Sequence, residues 1–146
     1  MTLLDANVLL YAYNADAPEH GIARAWLDRL LASQDWVGLT WLTLWAFLRI
    51  STNPRLFPQP LTVREAFEVV RGWLTVPTVV VIQPGARHFD LLEHLAVKSK
   101  AGGSLMTDAA LAAVAIEHGA VLASTDQDFK RFADVRWVNP LDPSAS

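Results

Sequence analysis

Short apolar runs that alternate with helical patterns constrain this chain more than any other feature. "MTLL" at 1–4, "WVGL" at 36–39, "TVVVI" at 78–82, "AVLAST" at 120–125 and "VRWV" at 135–138 each read as a strand. The segments between them have the periodicity and capping signals of helices. Strands separated by helices are joined by crossovers and not by hairpins. The alternation therefore predicts an α/β domain whose central sheet is largely parallel and flanked by helices. The length of 146 residues suits one domain with a sizeable core. We place that domain at 1–138 and a flexible tail, "NPLDPSAS", at 139–146.

The helices carry recognisable punctuation. "NVLLYAY" follows Asp5 directly, and "DAPE" at 16–19 has the form of a capping box in which Asp16 is the N-cap and Glu19 reaches back. In the helix after it, Ile22, Trp26 and Leu30 fall on one face with Ala23, Leu27 and Leu31. "TWLTLWAFLRIS" at 40–51 is strongly apolar and stops at the "TNP" turn, whereas "TVREAFEVVRGWL" begins with a second capping box, Thr62 to Glu65. "RHFDLLEHLAV" leads into "KSKAGG", read as a mobile loop, and an Ala- and Val-rich helix then runs from Thr107 to its Gly119 stop.

Composition excludes several function classes. The chain has no Cys, which rules out a disulfide framework and a thiolate metal site and fits a reducing cytosol. Nothing at its start has the form of a secretion signal. The most apolar segment, Trp36 to Ile50, is too short to span a bilayer and includes Arg49. A soluble, cytoplasmic protein with no membrane role is expected. The net charge of −3 offers no overall attraction for nucleic acid, so any such contact must come from local basic patches.

The acids are placed with more purpose. Asp5 ends the first predicted strand, Asp126 follows the "AVLAST" strand, and Asp108 stands in the first turn of the Ala-rich helix. Parallel sheets bind ligands beyond the carboxyl ends of their strands. If those two strands are neighbours, Asp5, Asp108 and Asp126 share one rim, with Asp128 beside them. Each acid also has an ordinary explanation. Asp108 could complement a helix dipole, Asp126 or Thr125 could cap a short helix, and Asp5 could be a turn residue. As a set they are costly, because crowded carboxylates repel one another and take up protons. A divalent cation relieves that conflict. Mg²⁺ takes oxygen ligands, and an ion so held can polarise a phosphate and acidify water, which is the chemistry of phosphodiester hydrolysis.

"LLDANVLLYA" near the start and "TDAALAAVAIEHGAVLASTDQDF" near the end resemble the PIN-domain family, in particular the VapC toxins of bacterial toxin–antitoxin pairs. "PEHGIARAWL" and "FLRISTNPRLF" are similar to one branch of those toxins, and the match extends to about Val138. The resemblance implies a Mg²⁺- or Mn²⁺-dependent endoribonuclease that cuts cellular RNA through a metal-activated water. It also implies a VapB-like antitoxin as partner and a homodimer. Carried over by position, Asp5, Asp108 and Asp126 are the catalytic metal-site acids, Asp128 is an outer metal ligand, and Asn7 and Thr125 are supporting polar residues. One departure stands out. The family supplies a Glu from the helix before "FLR", and alignment on "FLR" and "NP" puts Leu44 there, with no acid between Asp35 and Glu65. Either fewer carboxylates suffice, or activity is weakened or lost and the domain binds RNA or a protein partner instead.

Other residues carry weaker signals. Asp16 is better explained by its capping box than as a ligand, and Arg49 is expected to pair with an acid or lie at an exposed edge. His20, His88, His94 and His118 lack metal-ligand spacing. Lys98 and Lys100 are candidate RNA contacts because their loop leads into the Asp108 helix, and Lys130 and Arg131 have a lesser claim. Trp41 and Trp45, two of six tryptophans, are core residues by default or a surface for an antitoxin helix or second subunit. A phosphatase of the haloacid-dehalogenase type would need Asp-x-Asp after the first strand, and Asn7 stands at the second position.

Overall fold

In a computed structural model that describes residues 1–145, five strands form one sheet. They are β1 (Thr2–Leu4), β2 (Val37–Leu39), β3 (Val79–Val81), β4 (Val121–Ala123) and β5 (Trp137–Val138). Their spatial order is β3-β2-β1-β4-β5, and every neighbouring pair is parallel. The chain thus winds outward from β1 to one edge and returns to start again on the other side at β4. The reversal leaves a crevice beyond the carboxyl ends of β1 and β4, the place where open parallel sheets bind ligands.

Six helices cover the sheet: α1 (Ala6–Tyr13), α2 (His20–Ala32), α3 (Trp41–Ser51), α4 (Val63–Leu74), α5 (His88–Ser99) and α6 (Leu105–Glu117). Alternation along the strands divides the core in two. Leu3 and Leu122 face α5 and α6 together with Phe129 and Phe132. Leu4, Val37, Leu39 and Ala123 face the layer of α1 to α4, where Leu9, Leu27, Phe47 and Trp73 complete the packing. In α6, Ala109 and Leu111 to Ala115 are all buried, which accounts for its lack of a polar face. Thr62 and Glu65 form the expected capping box at the start of α4.

Several local expectations are corrected. Among the described residues Asp16 caps no helix: Asn14 accepts the Asp16 N–H in a turn of its own, and α2 begins four residues later behind Glu19. Ile22 is exposed, leaving Ala23 and Leu27 as the buried residues of α2. β3 is an edge strand in which only Val79 is buried. Lys98 and Ser99 belong to the last turn of α5, and Lys100 closes that helix in the left-handed conformation at φ 55°. At the tail, Pro140 is buried and Leu141 packs on the α1–α4 core. Ser146 lies outside the described residues. Among the described residues no helix is long and apolar enough to cross a membrane.

Candidate functional site

The crevice between β1 and β4 is built around a buried serine. Ser124, the first residue beyond β4, donates to Asp5 Oδ2 at 2.8 Å and accepts the Asp126 N–H at 3.0 Å. Asn7 reaches in from the first turn of α1, and its Nδ2 donates to both Ser124 Oγ and Asp5 Oδ2. Its Oδ1 accepts the Thr125 N–H at 3.1 Å. The other Asp5 oxygen accepts the Ala6 N–H at 2.7 Å, so Asp5 is also the N-cap of α1. The Asp5 N–H in turn bonds the Ala123 carbonyl, carrying the β1–β4 ladder up to the site.

Around this knot the acids converge. Asp108, Asp126 and Asp128 each bring a carboxylate oxygen within 4.8 Å of the others. Asp126 has two duties: Oδ1 caps the 3₁₀ turn Gln127–Arg131 by accepting the Asp128 N–H at 2.9 Å, and the second oxygen is left for the crevice. The ordinary explanation for Asp126, a helix cap, is therefore borne out, and it leaves one carboxylate oxygen uncommitted to the cap. Asp5 stands beside the trio, close enough for charge coupling with Asp108 and Asp126. Asp128, expected as an outer member, is as central to the cluster as Asp108.

Electrostatics records the crowding. Burial first, then the charges of Asp126, Asp5 and Asp128, push the Asp108 carboxyl up to about 6, against a smaller opposing pull from Arg131. Burial also raises Asp5, with Asp126 adding to the effect, while bonds from Ser124, Ala6 and Asn7 work against it. A site made of carboxylate oxygens, with neither His nor thiolate, fits a hard cation such as Mg²⁺ or Mn²⁺. Such an ion would remove the repulsion that now favours protons.

Leu44, where alignment seats the family Glu, is fully buried among Leu4, Leu9 and Phe47. Position 44 faces the core. The face of α3 turned to the crevice is the one that carries Thr43, whose Oγ1 donates to the Leu4 carbonyl at 3.1 Å. Ala46 is one turn further along that face. Ile50, another turn on, lines a groove with Asn7 and Tyr11. None of the three is ionisable.

The basic candidates separate. Lys98 Nζ lies 3.3 Å from Asp134, which His94 also approaches at 3.4 Å. Lys130 lies over the Trp137 ring at 6.0 Å. Trp41 and Trp45 stack at 6.4 Å and are 45% and 63% exposed, so neither is the core residue assumed by default.

The sequence matches the family model described as "PIN domain" over residues 2–135. The chain belongs to the PIN-domain family. Two relatives of this PIN domain are Ribonuclease VapC37 and Ribonuclease VapC31 of Mycobacterium tuberculosis. Each is 44% identical over 140 residues, covering 96% of this chain and 97% and 99% of theirs, respectively. Among solved structures, VapBC2 from Rickettsia felis, bound to a DNA fragment from its promoter, superposes with a TM-score of 0.70. The two chains share 17% identity, and the match covers 94% of this chain and 97% of that one. Mycobacterium tuberculosis VapC20, a sarcin–ricin loop cleaving toxin, gives 0.65 at 19% identity, over 93% and 99% of the two chains. At these identities the superpositions speak for the fold alone.

Sequence reasoning on this PIN domain missed Ser124. It is uncharged and reads as the last residue of a strand. Its position two residues before Asp126, beside a strand that ends in Asp5, was the one available signal.

Proposed function

We propose that this PIN domain is a metal-dependent endoribonuclease, the toxin of a toxin–antitoxin pair restrained by a VapB-like antitoxin. The observation that carries the reading is the convergence of Asp108, Asp126 and Asp128, with Asp5 beside them, at the crevice where the sheet reverses. The ribonuclease names of its relatives, at 44% identity over nearly full length, supply the substrate class.

In this reading Asp5, Asp108 and Asp126 are the catalytic acids, and Asp128 completes the set that would hold Mg²⁺ or Mn²⁺. The bound ion would supply Lewis acidity toward a phosphate oxygen and make a nearby water more acidic. The chain supplies position. Ser124 and Asn7 fix the Asp5 carboxylate, and the 3₁₀ turn fixes Asp126 relative to Asp128. Asp108, whose carboxyl is raised to about 6 by burial and the neighbouring acids, would be held ionised by the bound ion and serve as its ligand.

A second reading is a PIN domain that binds RNA or a protein partner without cutting, and the absence of an acid on the crevice face of α3 favours it. Purified protein incubated with cellular RNA separates the two. Cleavage with Mg²⁺ or Mn²⁺ that stops on chelation and is lost in Asp126→Asn supports the nuclease. No cleavage with either metal supports the binding domain.

A further inference from the structure

An acidic crevice that handles RNA faces an electrostatic difficulty, since phosphates and carboxylates repel. The cations near it differ in what they already hold. Lys98 is tied to Asp134 on the outer side of α5. Lys130 points toward Trp137 and the field of Asp142. Arg131 points the other way. It ends the same 3₁₀ turn that Asp126 caps, and its Nη1 donates to the Ser99 carbonyl at 3.4 Å. That turn is pinned by Phe129 and Phe132, which are buried on either side of Arg131 and pack ring to ring at 6.0 Å. The side chain is exposed, and its charge reaches Asp108. One long bond engages a single N–H of a guanidinium that has five, so most of the fork is free for a planar two-point contact with a phosphate.

We propose that Arg131 is the RNA phosphate-binding residue of this site, holding the strand against the acids from the 3₁₀ turn that also presents Asp126 and Asp128. The proposal rests on the ribonuclease reading above. It moves to Arg131, which had the lesser claim from sequence, the part first assigned to Lys98, a cation already held by Asp134. A rigid backbone and a cation beside the metal-site acids let one residue offset their repulsion and set the register of the substrate. Lys does this less well where two-point geometry matters.

The test measures binding of an RNA oligonucleotide in chelator, where cleavage is arrested, across a salt series, alongside cleavage of the same RNA with Mg²⁺ or Mn²⁺. Variants are Arg131→Gln, Arg131→Lys and, as control, Lys130→Gln. Arg131→Gln should weaken binding about tenfold and flatten the slope of log affinity against log salt by about 0.7, one phosphate contact on a single strand. KM should rise with kcat nearly unchanged. Arg131→Lys should recover most of the salt slope, Lys130→Gln should match wild type, and all melting temperatures should agree. Unchanged affinity and slope in Arg131→Gln, with cleavage intact, overturns the proposal and leaves the ribonuclease reading standing. A fall in melting temperature that tracks the loss of affinity in both Arg131 variants also overturns it, because Arg131 would then act through Ser99 alone. A wild-type protein that cleaves no RNA removes the underlying reading, and the proposal with it.

Discussion

Ser124 Oγ donates to Asp5 Oδ2 at 2.8 Å and thereby ties together two strand ends that are 119 residues apart in sequence. The same oxygen accepts the Asp126 N–H and the Asn7 amide, so one hydroxyl organises three of the groups around the crevice. Ser124→Ala should leave these groups without their common partner and lower stability by about 1–3 kcal/mol. Thermal unfolding checks the stability, and metal titration should show weaker binding. A variant with wild-type melting and wild-type metal affinity would show that the hydroxyl is dispensable.

Position 44 offers a sharper contrast. Leu44 is fully buried, so Leu44→Glu should cost about 3–5 kcal/mol, the range for an uncompensated buried charge, or stay protonated. Ala46 is half-buried on the Thr43 face, and Ala46→Glu should be tolerated and bring a new carboxylate toward the crevice. Denaturant unfolding together with Mn²⁺ titration separates them. The prediction for Leu44 fails if its variant is as stable as wild type with the acid ionised. That for Ala46 fails if its metal affinity does not rise.

The raised Asp108 pKa sets a pH dependence. Its folded value, about 6, lies above the ordinary 3.8, so folding of the metal-free protein tightens its hold on a proton. That contribution to stability is present below pH 3.8 and is lost as pH rises through about 6. Asp5, also raised, adds a loss of the same sign. Metal binding opposes it, because the ion needs the ionised acids. The gain in melting temperature on adding Mn²⁺ should therefore be small at pH 5 and grow through pH 6 to pH 7.5. A gain that is constant across this range would contradict the coupling.

Much of this was legible in the chain. The alternation of strand and helix signals gave a parallel sheet, and Asp5, Asp108 and Asp126 fell on one rim because strand ends and helix starts are marked locally. What was hidden depended on contacts between distant residues. Lys98 reads as a free loop cation until Asp134 is seen beside it, 36 residues away. In the 41–51 helix nearly every position is apolar, so no periodicity told Leu44, in the core, from Ala46, on the crevice side. The Asp16 capping box failed because Asn14 makes a turn first, a competition between two local hydrogen-bond patterns that spacing alone does not decide.

The antitoxin half of the proposal makes its own prediction. A partner that binds only the folded state adds about 2.7 kcal/mol of stability at a concentration 100 times its Kd. Co-expression with a small antitoxin encoded beside this chain should raise the melting temperature and give a single co-eluting peak on a sizing column. Separate peaks at micromolar concentration would count against the pairing.

The central claim is that four aspartates form one cation site, and a calorimetric Mn²⁺ titration tests it most directly. The wild-type protein should bind Mn²⁺ through Asp5, Asp108, Asp126 and Asp128. Asp→Asn at any of the four should keep the fold, since volume is conserved, and weaken binding by about tenfold or more. Wild-type affinity in both Asp108→Asn and Asp126→Asn would contradict the account.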